Sequence, residues 1–310
     1  MESKPILVSA CIITYNHEKF IRQCLDGALM QDVDYSYEIV IGDDHSTDST
    51  AAICQDYAAR YPDIIRFVSR DINLGMNGNW TNTMMSCRGK YIALCEGDDF
   101  WTDSNKLQYQ VDFLEKNGKY AACYHGAKVI DENNALKRES KWPAYRSHTK
   151  LELLQSKGEM ITCTVVFRNL VVKNLSSFRG TNLDTYLWHL LGFYGGGKFM
   201  GNICYSCYRV HSGGIWSLKN DYFKLISGLK TYDYIVESLS NAGYETQHVH
   251  EITSKMLDTF LIRQLKFGSI SMYFRGGVLV FKHKSLAISS FLRRHLGTLL
   301  KKKWINTCIF

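Results

Sequence analysis

Prolines, long apolar runs and patterned cysteines are all scarce in this 310-residue sequence. With 3 prolines and no low-complexity tract, the chain gives no indication of disordered linkers. No stretch approaches the ~20 apolar residues of a membrane-spanning helix. The 10 cysteines are scattered, and the single C-x-x-C, at Cys204 and Cys207, lacks a second pair or histidines at zinc-ligand spacing. We therefore interpret the cysteines as structural thiols of a reduced, cytoplasmic protein.

Two common phosphate-binding motifs are also missing. No G-x-G-x-x-G follows the first predicted strand, and the chain contains no G-x-x-x-x-G-K-[ST]. A dinucleotide-dependent redox enzyme or a P-loop enzyme would therefore lack its phosphate cradle. If a nucleotide binds here, its diphosphate needs another counter-charge, which a cation held by acidic side chains would provide.

Short apolar runs alternate with amphipathic helix patterns over about the first 120 residues. Strands are predicted at residues 6–14, 38–42, 64–68 and 91–95, with helices at 18–30, from 46 to about 61, before 87 and at 106–116. This alternation predicts an α/β fold of βαβ units around a mainly parallel sheet. Beyond residue 120 the pattern predicts strands at 161–167 and 199–210 and helices at 183–193, 218–242 and 251–267. We expect this part to extend the same sheet with strands of mixed direction.

The most informative motif is the acidic cluster Glu96-Gly97-Asp98-Asp99, which follows the predicted strand 91–95. Three carboxylates within four residues repel one another, and they usually stay together where a hard cation or a substrate needs them. In open α/β sheets, ligands bind beyond the carboxyl ends of the strands, where this cluster falls. The cluster therefore predicts a metal site, and a solvated turn with helix-capping acids is the alternative.

Polar residues also follow the first two predicted strands. The first strand ends in the segment Thr14 to His17, and the second ends in Asp43-Asp44. Adjacent strand ends of a doubly wound sheet form one crevice. A tyrosine ring can stack on a base, and a carboxylate can accept hydrogen bonds from a base N–H or a ribose hydroxyl. These segments indicate a nucleotide site, and the alternative is that the two aspartates only cap the next helix.

Taken together, these motifs resemble glycosyltransferase family 2, the inverting enzymes of GT-A fold, over roughly residues 5–125. The resemblance rests on four segments in the family's order and spacing: Ile12 to His17, Asp43 to Asp48, Asn73 to Gly75, and Gly89 to Trp101. Ile13 stands where the family often has proline, and Glu96 stands where it usually has aspartate. The resemblance implies a Rossmann-like nucleotide-binding sheet with a mixed acceptor-side extension.

The resemblance also implies roles for individual residues. Tyr15 and Asp44 match positions that contact the donor base. Asp98 and Asp99 match the motif that binds a divalent metal, Mn²⁺ or Mg²⁺, and the donor diphosphate or ribose, and Glu96 completes the metal-binding set. The full donor-binding set is expected to be Thr14, Tyr15, Asn16, Asp44, Asn73, Asn79, Asp98 and His211.

The acceptor side is expected downstream. The segment around Asp184 resembles the one whose aspartate is the family's catalytic base, although an acid in the first turn of a helix also suits the helix dipole. His211 lies in a segment that resembles a loop near the donor phosphates, and it either acts there or bonds locally. Trp101, Trp188 and Trp216 are candidates for stacking on acceptor sugars, with burial in the core as the alternative.

The end of the chain has charge of one sign. Ten of the 37 basic residues and none of the 30 acidic residues fall in residues 261–310, where aromatic and aliphatic side chains are interleaved with them. This composition is typical of a surface that lies on an anionic membrane. Nucleic acid is the competing anion, which the resemblance does not favour, and a solvated helix pair is the plain alternative.

These observations together predict a metal-dependent inverting glycosyltransferase that moves a sugar from a nucleotide sugar, with UDP expected, to a saccharide hydroxyl. By the resemblance, the acceptor is expected to be lipid-linked, at the inner face of the cell membrane, in cell-surface polysaccharide synthesis. Residues 1–125 are expected to bind the donor, 126–217 to bind the acceptor, and 218–310 to form a helical basic tail. The alternatives are a metal-dependent phosphoesterase and a non-catalytic, membrane-peripheral binding module.

Overall fold

The computed structural model of the chain describes residues 5–139, 145–175, 178–214 and 219–267. The chain divides into two compact units. The first contains the residues up to Phe178 together with Leu183–Ser217, and the second contains Arg179–Asn182 together with the residues from Leu218 onward.

The first unit begins with a regular alternation of strands and helices. These are β1 (Val8–Thr14), α1 (Ile21–Leu29), β2 (Tyr37–Asp43), α2 (Thr50–Arg60), β3 (Ile65–Val68), α3 (Gly75–Met85), β4 (Tyr91–Glu96) and α4 (Lys106–Lys116). The four strands are parallel to one another, in the order β3-β2-β1-β4. Every residue of β1 is buried, as expected for a central strand covered on both faces. The predicted α/β fold with a mainly parallel sheet is confirmed.

The second half of this unit is less regular. Its elements are β5 (Tyr120–Tyr124), β6 (Ala127–Ile130), β7 (Leu136–Glu139), α5 (Lys150–Leu154), β8 (Val166–Arg168), α6 (Val172–Leu175), α7 (Leu183–Leu191), β9 (Gly196–Phe199) and β10 (Ser206–Arg209). Strands β8, β5 and β9 continue the large sheet beyond β4, with β8 antiparallel to both of its neighbours. This is the predicted mixed extension. A separate three-stranded sheet has the order β10-β6-β7.

Two strands predicted in this region differ from those in the structure. The predicted strand 199–210 is two strands in different sheets, because a turn at residues 201–203 interrupts it. The predicted strand 161–167 begins as a 3₁₀ turn at Thr162–Thr164 and becomes extended only afterwards. The apolar pattern of both segments reflects burial, which a turn shares with a strand.

The second unit is built on two helices, α8 (Asp221–Asn241) and α9 (Gln247–Phe267). Asn220 caps α8 by accepting a hydrogen bond from Phe223 N–H. The buried apolar residues that the two helices share are Leu225, Leu229, Leu257, Phe260 and Leu261. The described helices include no segment long and apolar enough to span a membrane. Residues 268–310, the C-terminal part of the predicted basic tail, lie outside the described residues.

Candidate active site

The carboxyl ends of β1, β2 and β4 bring three of the predicted segments together. Thr14 is paired with Asp43 across the β1–β2 ladder, and Ile13 is paired with Glu96 across the β1–β4 ladder. Beyond the strands, Asp44 N–H donates to the Thr14 carbonyl at 3.0 Å. The loops that carry the predicted donor and metal residues therefore lie side by side at one edge of the sheet, where ligands of such sheets bind.

Gly97 brings the acidic loop close to the end of β1. A Cβ atom at this position would lie 2.7 Å from Thr14 Oγ1 and 3.0 Å from His17 Nδ1, which is closer than a side chain tolerates. The Gly97 N–H also donates to the Ile13 carbonyl at 2.8 Å. Glycine is thus needed here for close approach rather than for an unusual φ angle.

Two histidines from distant parts of the chain face Asp98. His211 Nε2 lies 3.0 Å from Asp98 Oδ2, and His17 Nε2 lies 3.9 Å from the same oxygen. One ligand atom from each of the three side chains lies within 4.8 Å of the others. Burial alone would raise the pKa of Asp98, but the hydrogen bond with His211 and the charges of both histidines outweigh it and lower the pKa. Burial in turn lowers the pKa of His17, which favours the neutral imidazole that can ligate a metal.

Asp99, the last residue of the acidic cluster, contacts the end of β10. Its Oδ1 accepts the N–H of Arg209 at 2.7 Å, and its side chain is buried. Burial, followed by the charges of Asp98 and Glu96, raises the pKa of Asp99 well above its ordinary value. A positive charge placed near this carboxyl would lower that pKa again.

Glu96 belongs to the acidic loop but not to the histidine cluster. Burial, together with the charges of Asp98 and Asp184 and against a hydrogen bond from Thr162, raises the pKa of Glu96 to about 7. The sequence predicted that Glu96, Asp98 and Asp99 bind the metal together. In the structure His17 and His211 are grouped with Asp98 as possible ligands, and metal contact by Glu96 and Asp99 stays a prediction.

A divalent cation fits the residues at this edge of the sheet. Glu96 Oε2, Asp99 Oδ2, Thr14 Oγ1 and His17 Nδ1 are buried and have no hydrogen-bond partner among the described residues. Buried polar atoms are nearly always paired, so a cluster of such atoms indicates a missing ligand. Two imidazoles and a carboxylate are a donor set that suits Mn²⁺ and its neighbours, and carboxylate oxygens alone suit Mg²⁺.

Asp44 is held in place by the loop after β3. Its Oδ1 accepts Leu74 N–H at 2.7 Å, and its carbonyl accepts Asn73 Nδ2 at 2.9 Å. Asn73 therefore positions Asp44 against this loop. Tyr15, which follows β1, is 39% exposed, so its ring is available for stacking. Asn16, with φ of 56°, accepts a hydrogen bond from Thr47 N–H and so fixes the turn that presents Tyr15.

Arg70 is a further residue on this side of the crevice, and no role was predicted for it from the sequence. Its Nε and one Nη are buried without a partner among the described residues. The carbonyl of Arg70 lies 3.1 Å from Nδ1 of His45, the residue after Asp44. In the sequence, Arg70 is recognisable as a basic residue three positions before Asn73, in the loop that holds Asp44.

Three predicted ligand-contacting side chains are part of the core. Asn79 is 2% exposed and donates to the Gly42 carbonyl at 2.8 Å, so it supports β2 rather than facing the crevice. Trp101 is 2% exposed, and its Nε1 donates to the Cys163 carbonyl at 2.8 Å. Trp188 is 3% exposed. All three side chains are therefore packed inside the protein, and their expected contacts with donor and acceptor stay predictions. Trp216 lies outside the described residues.

Asp184 lies in the first turn of α7 and is half-buried. Its Oδ1 accepts Thr185 N–H at 2.7 Å. Burial raises the pKa of Asp184, and the hydrogen bonds from Thr185 oppose this effect. The charge of Asp184 in turn raises the pKa of Glu96. It also raises the pKa of Glu159, for which burial is the larger cause. Asp184 is therefore near enough to the acidic loop to interact with it electrostatically, across almost 90 residues of sequence.

Curated relatives of the chain include proteins from several bacteria. An uncharacterized protein of Mycobacterium tuberculosis is 36% identical over 67% of this chain and 60% of its own length. The chondroitin synthase of Escherichia coli is 31% identical over 74% of this chain and 34% of its own length. The chain thus spans about 60% of the mycobacterial protein and a smaller part of the synthase.

Solved structures share the fold at low sequence identity. Residues 1–349 of TarS of S. aureus, in complex with UDP-GlcNAc, superpose with a TM-score of 0.65 at 16% identity, covering 87% of this chain and 79% of that fragment. The mannosyltransferase PcManGT of Pyrobaculum calidifontis in complex with GDP-Man and Mn²⁺ gives a TM-score of 0.55 at 15% identity, covering 91% and 82%. Residues 9–175, more than half of the chain, match the sequence model of Glycosyl transferase family 2. The chain belongs to glycosyl transferase family 2.

Proposed function

We propose that this protein is a metal-dependent, inverting glycosyltransferase that moves a sugar from a nucleotide sugar to a saccharide hydroxyl. The observation that carries the proposal is the cluster of His17, Asp98 and His211 at the strand ends. Buried carboxylate oxygens without partners adjoin it, and Asp44 lies in the same crevice. A cation site beside a nucleotide-type crevice is the arrangement that a nucleoside diphosphate leaving group requires.

Asp98, His17 and His211 would hold the cation, with Glu96 and Asp99 as the nearby carboxylates. When bound, a divalent cation neutralises the charge that develops on the departing diphosphate. Asp44 and the exposed ring of Tyr15 would bind the base and ribose, because both lie on the β1–β2 side of the crevice.

Asp184 is the proposed catalytic base. Its carboxylate takes the proton of the acceptor hydroxyl while that oxygen attacks the anomeric carbon in line. The bond between the anomeric carbon and the diphosphate oxygen breaks in the same step, so the anomeric centre inverts and nucleoside diphosphate leaves. Burial raises the pKa of Asp184, which makes the carboxylate a stronger base than an exposed aspartate.

We propose a UDP-sugar as the donor and a saccharide, lipid-linked in the cell, as the acceptor. TarS was solved with UDP-GlcNAc and PcManGT with GDP-Man and Mn²⁺, which supports a nucleotide-sugar donor and leaves the base to be tested. The similarity to a chondroitin synthase supports a saccharide acceptor. In this proposal residues 1–125 bind the donor and 126–217 bind the acceptor.

A donor screen tests the reaction. The purified full chain is incubated with Mn²⁺, a panel of nucleotide sugars and oligosaccharide acceptors, and both nucleotide release and acceptor mass are measured. A gain in acceptor mass equal to one sugar, together with nucleoside diphosphate, supports the proposal. Release of inorganic phosphate alone would instead favour the phosphoesterase, and the absence of nucleotide and metal binding would leave the non-catalytic module.

The basic C-terminal segment is proposed to hold the protein on an anionic membrane at the cytoplasmic face. The support is its composition, with ten basic residues, no acidic residue and many aromatic and aliphatic ones between residues 261 and 310. Flotation with liposomes tests this. Binding should require anionic lipid, weaken with salt and disappear when residues 270–310 are deleted. Equal binding to neutral and anionic vesicles, or binding to neither, would contradict it.

A further inference from the structure

Arg209, the last residue of β10, is a buried arginine directly behind the candidate metal site. It is 3% exposed. Its guanidinium carbon lies 4.6 Å from the centre of the Phe20 ring and 5.7 Å from that of Phe100. A buried arginine is costly unless its donors are satisfied, so the contacts that satisfy it define what it holds in place.

One of those side-chain contacts goes to the acidic loop: Arg209 Nε donates to the Asp98 carbonyl at 2.8 Å. The backbone N–H of Arg209, which a substitution of the side chain leaves in place, donates to Asp99 Oδ1 at 2.7 Å. Next to them, Phe100 and Cys207 exchange two backbone hydrogen bonds, of 3.2 and 2.9 Å. The acidic loop is therefore attached to the end of β10 along its length.

The other donors of Arg209 reach two further segments. Nη1 donates to the Asp131 carbonyl at 3.0 Å and to Asn134 Oδ1 at 2.9 Å, both in the turn between β6 and β7. Nη2 donates to Gln23 Oε1 in α1 at 2.8 Å. One side chain thus joins the acidic loop, a hairpin turn and the helix that follows the His17 segment.

The position of Arg209 in the chain also fixes His211. Only Val210 separates them, and His211 Nε2 meets Asp98 Oδ2 at 3.0 Å. If Arg209 keeps the end of β10 against the acidic loop, it also keeps the imidazole of His211 at ligand distance from Asp98. Partners that orient metal ligands typically change metal affinity about 10- to 100-fold when they are lost.

We infer that Arg209 is a positioning residue that holds Asp98 and His211 in the geometry that binds the metal, without contacting the metal itself. The inference rests on the proposed function, because it concerns the metal site of that function. Lysine cannot replace arginine here, since one ammonium group cannot reach three segments in the planar geometry of a guanidinium.

The test measures Mn²⁺ affinity by calorimetry and backbone hydrogen exchange by mass spectrometry on the full chain. In Arg209→Lys, the Mn²⁺ dissociation constant should rise about 10- to 100-fold, and residues 96–100 should exchange faster even without metal. In Arg209→Ala, millimolar guanidinium should restore part of the Mn²⁺ affinity by occupying the space between the two rings. The same addition should not rescue His211→Ala, which lacks a ligand.

Arg168→Lys is the matched control. Arg168 also donates to three segments, through the carbonyls of Tyr120 and Leu114 and the hydroxyl of Tyr91, away from the acidic loop. Its variant should keep wild-type Mn²⁺ affinity. A folded Arg209→Lys protein with wild-type Mn²⁺ affinity, or an equal loss in Arg168→Lys, would overturn the inference.

The two proposals can fail separately. If the wild-type chain binds no Mn²⁺, the metal site of the proposed function is wrong. The exchange of residues 96–100 then still decides the role of Arg209: faster exchange in Arg209→Lys supports its hold on the acidic loop, and unchanged exchange overturns it.

Discussion

Replacing Asp184 by asparagine tests the assignment of the catalytic base. Asp184 Oδ1 accepts Thr185 N–H at 2.7 Å, and an asparagine oxygen can accept the same bond, so the first turn of α7 should keep its structure. The amide cannot take a proton from the acceptor hydroxyl. General base groups typically contribute about 10²- to 10⁴-fold to a rate. The substitution should therefore lower kcat by that factor, or about 2.7 to 5.4 kcal/mol of transition-state stabilisation.

The assay separates catalysis from binding. Donor affinity is measured by calorimetry in the presence of Mn²⁺, and turnover is measured by nucleotide release. Asp184→Asn should bind donor like the wild type, since Asp184 is placed on the acceptor side. Glu159→Gln is the matched control. Glu159 is a carboxylate outside the acidic loop that is close enough to Asp184 for the charge of Asp184 to raise its pKa. It should keep most of the turnover.

The pH dependence adds a second readout. Burial raises the pKa of Asp184 above that of an exposed aspartate, and only the deprotonated carboxylate acts as a base. The rate of the wild type should therefore fall as the pH drops through this raised pKa, and the residual rate of Asp184→Asn should lack that limb. Wild-type turnover in Asp184→Asn would refute the assignment, and Glu159 or His211 would then be the next candidate.

Two further predictions concern the residues that support the site and the sheet. Gly97→Ala should weaken Mn²⁺ binding at least about tenfold and cost about 1–3 kcal/mol of stability, because its Cβ would lie 2.7 Å from Thr14 Oγ1. Gly118→Ala, with nothing near its Cβ, is the control, and equal effects in both would contradict the packing argument. Glu38→Gln should destabilise the fold by about 1–3 kcal/mol at pH 7 in urea unfolding, because the buried carboxylate accepts three hydrogen bonds from Arg88. Burial alone would raise the pKa of Glu38, but the hydrogen bonds outweigh it and lower the pKa. The stabilisation should therefore fade as the pH falls below about 4. An unchanged difference in unfolding free energy between the wild type and Glu38→Gln at pH 3 would contradict this.

The first half of the fold could be predicted because its signals are local. Each strand of the parallel sheet is an apolar run of a few residues, and each helix has its own apolar face, so the helix Lys106–Lys116 was placed at its observed ends. The second half depends on contacts that the local pattern does not contain. Strands β5 to β7 are four or five residues long. They are strands because β5 pairs with β8 and β9, and because β6 pairs with β10 and β7.

The candidate site was predicted in part for the same reason. Asp98 and Asp44 follow strands, so their position at one edge of the sheet is implied by the topology. The approach of His211 to Asp98 spans 113 residues, and no sequence period indicates it. The sequence also does not show which side chains are buried. An indole in a sugar site and an indole in a core have the same sequence signal, and only the structure assigns Trp101 to the core.

The proposed function requires that the strand-end crevice bind a nucleoside diphosphate through a divalent cation. The decisive measurement is a calorimetric titration of UDP into the purified full chain, with Mn²⁺ and then with EDTA, and Asp98→Asn is the companion variant. UDP should bind in the presence of Mn²⁺, and its affinity should fall at least about tenfold when Mn²⁺ is removed or Asp98 is replaced. Equal UDP affinity with and without Mn²⁺, or an unchanged affinity in Asp98→Asn, would contradict it.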